Sequence, residues 1–227
     1  MVMTYRALSR LLSYPEQQLQ AEARHCVEVI RCEGLLPDRI VVSLAKLAEH
    51  IVVSDLYEAQ AAYVDLFDRT RSVSLHLYEH VHGESRERGP AMVGLVELYR
   101  THGLEMDVSD LPDYLPVFLE FLSILSEEEA ASLIGEAAHV LEAIEERLKK
   151  RKSLYCAVFT ALSSVSGKLA DRAAVESLLA IADDDPGDLE TLDKLWAEEP
   201  VMFGPGDARD GCPKAQSMLS AMQETRS

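Results

Sequence analysis

Residues 126–150 read SEEEAASLIGEAAHVLEAIEERLKK, a sequence that indicates a helical fold. Apolar side chains recur every three to four residues through Ile134, Leu141 and Leu148, which is the period of an α-helix with one buried face. Ser126 and Glu129 form a capping box, because each side chain can accept a hydrogen bond from the backbone N–H of the other residue. The segment therefore predicts a long amphipathic helix.

The same period continues through most of the remaining chain. Ile40, Leu44 and Leu47 begin another apolar stripe, whereas no run of alternating β-branched residues predicts a strand. We therefore expect an all-α protein, with a single helical bundle domain of about nine or ten helices at residues 1–198 and a mobile C-terminal tail at 199–227. The predicted helices span residues 2–13, 16–33, 38–53, 55–67, 86–102, 114–125, 127–150, 152–166, 170–182 and 188–198.

Two segments interrupt the helical period. Residues 68–85 mix charges, histidines and aromatic side chains, and residues 103–116 contain two prolines. Asp113 is placed to cap a helix that has Pro116 in its first turn. Left-handed helix C-termini are predicted at three glycines that follow periodic runs, namely Gly34, Gly103 and Gly167.

Composition limits the possible partners. The chain of 227 residues has 22 Lys and Arg against 39 Asp and Glu, a formal net charge of -17. This balance opposes binding to nucleic acid or to an anionic membrane, and it favours cationic partners. We expect no secretory signal, no transmembrane helix and a cytoplasmic protein, since no long apolar run is present. The cysteines, Cys26, Cys32, Cys156 and Cys212, are expected to be reduced thiols.

The densest group of chemically active side chains is the segment YEHVHGESRERGP at residues 78–90. If the segment is extended, His80 and His82 face one side, and with Glu79 or Glu84 they could bind a transition metal. The alternative is that these side chains hold a loop against the helices by hydrogen bonds. Arg86 and Arg88 could pair with the nearby glutamates or with a partner's carboxylate.

Sequence motifs of enzymes are missing from the chain. It contains no H-E-x-x-H pattern, no G-x-S-x-G nucleophile turn, no P-loop and no dinucleotide-binding glycine pattern. We therefore do not predict an enzyme. Two aromatic clusters accompany the histidine segment: Tyr63 and Phe67 share one helical face with Leu66, and Tyr114 begins the predicted helix 114–125, off the apolar face that carries Phe118.

These clusters, in this order, resemble a known family. YVDLFDRTRSVSLHLYEHVHGESRERGPAMVGLVELY at residues 63–99, followed by LPDYLPVFLEFL at 111–122, is similar to the NarJ-type molybdenum cofactor assembly chaperones. These are also called the delta subunit of respiratory nitrate reductase, and they belong with the TorD/DmsD-like redox enzyme maturation chaperones. SRLLSYPE at 9–16 and LWAEEPVMF at 195–203 agree with this family, and the resemblance covers roughly residues 5–200.

The resemblance implies a TorD-like, all-helical chaperone in the cytoplasm that is absent from the finished enzyme. It would bind the molybdenum-carrying catalytic subunit of respiratory nitrate reductase, partly through that subunit's basic N-terminal peptide. It would hold the subunit ready for insertion of bis-molybdopterin guanine dinucleotide and for iron–sulfur loading, without stably binding a cofactor itself. Cofactor-delivery proteins are further implied partners. An acidic helical adaptor for another redox enzyme, and a metal-dependent enzyme using His80, His82 and Glu84, stay open as alternatives.

A basic, partly apolar peptide can bind as an amphipathic helix in an apolar groove with an acidic rim. We expect the irregular segment 68–85 to lie against such a groove. The predicted floor consists of Phe67, Leu75, Tyr78, Tyr114 and Phe118. The predicted rim consists of Asp68, Glu79, Glu84, Asp113 and Glu120. Arg69, His80, His82 and Arg86 complete the candidate set, and protonation of histidines on the rim should weaken capture of a cationic peptide near pH 6.

Overall fold

The computed structural model describes residues 2–83, 85–106 and 110–181, and eleven α-helices account for most of them. The helices are α1 (Met3–Leu12), α2 (Gln17–Glu33), α3 (Asp38–Val53), α4 (Leu56–Tyr63), α5 (Leu77–His82), α6 (Arg88–Thr101), α7 (Leu115–Ile124), α8 (Glu127–Glu136), α9 (Ala138–Lys150), α10 (Cys156–Val165) and α11 (Arg172–Leu179). A π-helical turn (Val64–Asp68) and a 3₁₀ turn (Arg71–Val73) precede α5. Within these residues there is no strand, only an isolated bridge between His76 and Tyr114. The all-α prediction is confirmed.

Helix α1 lies at the centre of the first half of the fold. It packs against α2 on one side and α7 on the other, and seven of its ten residues are buried. The carboxylate of Glu33, at the end of α2, accepts hydrogen bonds from the backbone N–H groups of Met3 and Thr4 at 2.9 and 2.6 Å. Because these N–H groups have no partner inside α1, this carboxylate caps the helix from a neighbouring element.

Helix α9 has the same central place in the second half. It packs against α10 and α11, and it also contacts α5 and the 3₁₀ turn. Its stripe of Leu141, Ile144 and Leu148 is fully buried. The guanidinium of Arg147 donates to the carbonyls of Ser72 and Leu178 at 2.7 and 2.6 Å, and so ties the 3₁₀ turn to the end of α11.

The prediction of one long helix at 127–150 is wrong, because the helix is interrupted at Ala137, between α8 and α9, where φ is -91° and ψ is 4°. The capping box of Ser126 and Glu129 is present as predicted. Gly135 lies next to the break, and a Cβ there would come within 3.1 Å of the Lys168 side chain. The segment after α10 therefore packs directly on the backbone of α8, a contact that the helical period cannot reveal.

The backbone angles test the predictions made for three glycines. Gly34 and Gly103 have φ values of 76° and 78°, so their predicted left-handed conformation is confirmed. Gly167 is not left-handed, and its N–H donates instead to the carbonyl of Ala131. The predicted helix at 188–198, the tail and the domain boundary lie outside the described residues. No helix in the described part of the chain has the length and hydrophobicity that crossing a membrane requires.

Candidate binding groove

The segment predicted to be irregular contains a short helix. After the π-helical and 3₁₀ turns, the chain bends at Leu75, His76 has an extended backbone, and α5 then covers Leu77–His82. The backbone N–H of Leu115 donates to Leu75 O at 2.8 Å, and the N–H of Leu77 donates to Asp113 O at 3.0 Å. These bonds join the start of α5 to the start of α7.

Asp113 caps α5, and this corrects its predicted role at α7. Its carboxylate is fully buried and accepts a hydrogen bond from the backbone N–H of Tyr78 at 3.1 Å. The N-cap residue of α7 is Tyr114, whose side chain makes no capping bond. A carboxylate at a helix N-terminus is favourable because it meets unpaired N–H groups and the positive end of the helix dipole.

Three further side chains surround this cap. His76 Nδ1 lies 3.4 Å from Asp113 Oδ1, and this hydrogen bond raises the pKa of His76 above its usual value despite the opposing effect of burial. Arg88 at the start of α6 lies 3.4 Å from Glu79 and 4.0 Å from Asp113. The expected pairing of Arg88 with Glu79 is therefore present. This cluster connects α5, α6 and the segment before α7.

His80 and His82 do not converge as the extended alternative would require. Both lie on α5, where side chains two residues apart point about 200° apart around the helix axis. His80 Nε2 lies 2.9 Å from Ser74 O, and burial lowers the pKa of this histidine. The ring of His82 contacts Tyr78 edge-on, at 5.3 Å between ring centres. Among the residues that the structure describes, no group of three His, Cys, Asp or Glu could hold a metal ion, and Glu84 lies outside them.

One face of α5 forms the wall of an apolar groove of about 300 Å³. We call it the α5 groove; its apolar lining includes Tyr78 and Val81 of α5, Leu98 of α6, Phe118 of α7, Leu133 of α8 and Val140 of α9. The polar side chains that line it are Glu136 and His139. Five helices thus build a concave surface that can take apolar side chains from another molecule.

The predicted floor residues divide between this groove and the core. Tyr78 and Phe118 line the α5 groove. Phe67 and Leu75 do not line it, because both side chains are buried in the hydrophobic core. Tyr114 is half-buried in a separate aromatic cluster, where its hydroxyl lies 3.0 Å from that of Tyr63.

The aromatic cluster brings together the two aromatic motifs, which lie far apart in sequence. Tyr63 donates a hydrogen bond to Leu12 O at 2.9 Å, and Phe67 packs edge-on against Tyr155 at 5.1 Å between ring centres. Burial raises the pKa of both Tyr63 and Tyr155, so these phenols stay neutral. The cluster joins the end of α4 to α1 and to the start of α10.

The predicted rim does not surround the α5 groove. Asp113 is buried, Glu79 faces Arg88, and Glu120 lines a different cleft beside α1. Asp68, Arg69 and Arg86 are exposed and do not line the groove, nor do His80 and His82. The sequence analysis missed Glu136 and His139, which lie three residues apart at the α8–α9 break. Their spacing within an otherwise apolar stretch was the available signal in the sequence.

The sequence that builds this groove is similar to that of known proteins. A family profile described as "Nitrate reductase delta subunit" matches residues 36–161, which include α5, the Asp113 cap and all lining residues of the α5 groove. The nitrate reductase molybdenum cofactor assembly chaperone NarJ of Escherichia coli strain K12 is 38% identical over 198 residues, covering 86% of this chain and 83% of the relative.

Two further relatives agree. The probable nitrate reductase molybdenum cofactor assembly chaperone NarW of Escherichia coli strain K12 is 34% identical over 199 residues, covering 87% of this chain and 82% of the relative. The corresponding probable chaperone NarJ of Bacillus subtilis strain 168 is 30% identical over 176 residues, covering 76% and 93%. These relatives are named as assembly chaperones and not as enzymes, in agreement with the sequence prediction. The chain belongs to the nitrate reductase delta subunit family, that of the NarJ-type assembly chaperones.

Proposed function

We propose that this chain is a cytoplasmic chaperone that binds the apo catalytic subunit of respiratory nitrate reductase and holds it ready for insertion of the molybdenum cofactor. The relatives named above support the class of client. The observation that carries a binding role is the α5 groove, an apolar concavity of about 300 Å³ built partly from the family's histidine-containing segment. A chaperone needs such a surface, because its client exposes apolar side chains before assembly.

The client segment that best fits is the basic, partly apolar N-terminal peptide of the catalytic subunit. Its apolar side chains would enter the α5 groove, between Val81 on one wall and Leu133 on another. Its positive charges would be attracted by the net charge of -17, which speeds encounter and favours cationic sequences over acidic ones. Apolar contacts would thus hold the bound peptide, and the electrostatic field would favour cationic peptides over acidic ones.

The buried cap at Asp113 has a supporting role in this proposal. Helix α5 has only six residues, and an isolated helix of that length is unstable in water. The carboxylate of Asp113 and the backbone bond to Leu77 hold it in place. Tyr78 and Val81 are therefore presented on a fixed wall, which lowers the entropy cost of binding.

Molybdopterin guanine dinucleotide is cargo of the client in this proposal and not a resident cofactor of the chain. The chaperone would act by keeping the client's cofactor cavity accessible until loading, and delivery proteins would meet it at that stage. An acidic adaptor for a different redox enzyme has the same surface requirements. Pull-down from cells grown on nitrate with little oxygen separates these readings, because the catalytic subunit of nitrate reductase should be the main partner recovered.

Calorimetric titration with a synthetic peptide of the catalytic subunit's N-terminus tests the proposal directly. We expect binding with a dissociation constant of about micromolar order at low salt, weakening as salt rises because the attraction between opposite charges is screened. An acidic peptide of the same length and apolar pattern should bind much more weakly. No binding of the basic peptide at low salt would contradict the proposal.

A further inference from the structure

The lining of the α5 groove contains one carboxylate. Glu136 is the last residue of α8, and among the described residues that line the groove it is the only aspartate, glutamate, lysine or arginine. Its neighbours in the lining include Leu133, Ala137 and Val140, which are apolar. A charged segment that enters the groove therefore meets this carboxylate at the junction of α8 and α9.

The position of Glu136 is electrostatically unfavourable for α8. The side chain lies in the last helical turn, where the helix dipole places partial negative charge, and the last turn of α8, which the structure describes in full, holds no basic residue. The final carbonyls of a helix lack intrahelical partners, although that of Ile134 accepts the N–H of Ala137. Carboxylate and carbonyl oxygens thus concentrate negative charge at this end of the groove, and a cation would neutralise it.

Lys168, in the segment between α10 and α11, supplies such a cation in the free protein. Its Nζ donates a hydrogen bond to Oε1 of Glu136, and this bond holds the pKa of Glu136 below its usual value. The stem of Lys168 packs on Gly135, where an added Cβ would lie 3.1 Å from Lys168 Cβ and Cγ. The two charged side chains are 50% and 69% exposed. Because water screens such an exposed pair, it contributes little stability and can be exchanged at little cost.

We infer that Glu136 is the specificity-determining residue of the α5 groove, that it pairs with one basic side chain of the client peptide, and that Lys168 holds this position until the peptide arrives. This inference rests on the function proposed above. A bound peptide covers the apolar residues beside Glu136 and excludes water from the carboxylate, so its pair with the peptide is screened less than its pair with Lys168. The exchange requires a cation at one defined place, whereas the net charge of -17 attracts cations without regard to position.

Calorimetric titration at low salt with the synthetic peptide of the catalytic subunit's N-terminus tests this exchange. Glu136→Gln should weaken binding about tenfold, because the peptide's cation loses its carboxylate. Lys168→Gln should strengthen binding about threefold, because the competing cation is gone. Glutamine keeps Cβ, Cγ and Cδ, so the packing on Gly135 is preserved. In the Glu136→Gln background, Lys168→Gln should no longer strengthen binding, because the two side chains act as a pair.

The ion pair of Arg24 and Glu49 provides matched controls. It joins α2 to α3 outside the groove, with 2.9 Å between Nε and Oε2, and its side chains are 62% and 54% exposed. Glu49→Gln and Arg24→Gln change the net charge by the same amounts as the two groove variants. Each should change the affinity by about twofold or less.

Variants of the peptide identify the other half of the pair. When each basic residue of the peptide is replaced in turn by glutamine, one replacement should weaken binding to the unaltered chain about tenfold and leave binding to Glu136→Gln nearly unchanged. If the peptide binds the unaltered chain, but Glu136→Gln and Glu49→Gln bind it equally well, the inference is wrong and the proposed function stands. If the unaltered chain does not bind the peptide, the proposed function fails and the inference fails with it.

Discussion

Replacing Asp113 with alanine tests how the wall of the α5 groove is held. The side chain is fully buried and accepts the N–H of Tyr78 at 3.1 Å, with His76 at 3.4 Å and Arg88 at 4.0 Å beside it. Alanine removes all three interactions and leaves a buried N–H without its partner. The backbone bond from Leu77 to the carbonyl of residue 113 remains, so the helix should loosen without detaching.

The expected cost follows from these contacts. A hydrogen bond to a charged group contributes roughly 1.5–3 kcal/mol, and the buried N–H left unpaired adds to the loss. His76 and Arg88 are partly exposed, so water can replace much of what they lose. We therefore expect Asp113→Ala to lower the free energy of unfolding by about 3 kcal/mol. Asp113→Asn keeps one acceptor oxygen and should lose about half as much.

Urea denaturation measures this change, and a second cap provides the matched control. Asp55 is an exposed N-cap of α4, whose carboxylate accepts the N–H groups of Tyr57 and Glu58 at 3.0 and 3.2 Å. Asp55→Ala should cost only about 1 kcal/mol, because water reaches the freed groups. Hydrogen exchange at Tyr78 should also quicken in Asp113→Ala and not in Asp55→Ala. Equal losses of stability in the two variants, with unchanged exchange at Tyr78, would refute the assigned role of the buried cap.

Two further predictions concern single side chains. Thr4 is fully buried and its hydroxyl has no hydrogen-bond partner among the described residues, so Thr4→Val should raise the free energy of unfolding by about 1 kcal/mol. Ser9→Ala loses a 2.8 Å bond to a backbone carbonyl and should lower the free energy of unfolding by a similar amount. Urea denaturation decides both, and a loss of stability in Thr4→Val would contradict the first. The bond to Asp113 raises the pKa of His76, so its stabilisation is complete below about pH 6.5 and is lost as pH rises through the raised pKa. Burial lowers the pKa of His80, so this side chain destabilises the fold as pH falls below about 6.5. The cost of His76→Gln should therefore be larger at about pH 5.5 than at about pH 8, and that of His80→Gln smaller; the same pH dependence in both variants would contradict these assignments.

Features of the fold that depend on neighbouring residues in sequence could be predicted. The capping box of Ser126 and Glu129, and the left-handed Gly34, follow from local backbone chemistry, and the structure contains both. The helix break at Ala137 could not be predicted, because the apolar period continues through it. The break accompanies packing of Lys168 on Gly135, a contact between residues more than 30 positions apart.

The candidate site was less predictable for the same reason. Helix α5 was missed because its cap, Asp113, is 36 positions beyond Leu77 in the chain and looks from the sequence like the cap of α7. Phe67 and Leu75 are apolar residues in the motif, and sequence alone does not tell a core side chain from one in a groove. Family resemblance identified the right segments, but only the arrangement of α5 and the four other helices around the groove shows which side chains line it.

One pair of substitutions tests whether the α5 groove receives the client's N-terminal peptide. Val81 is 51% exposed on the groove wall, and Val42 is 53% exposed on α3, outside the groove. Calorimetry should show that Val81→Lys weakens peptide binding about tenfold or more, because a lysine removes apolar contact and repels a cationic ligand. Val42→Lys adds the same charge and should change the affinity by about twofold or less. Equal affinities for the two variants would contradict the claim.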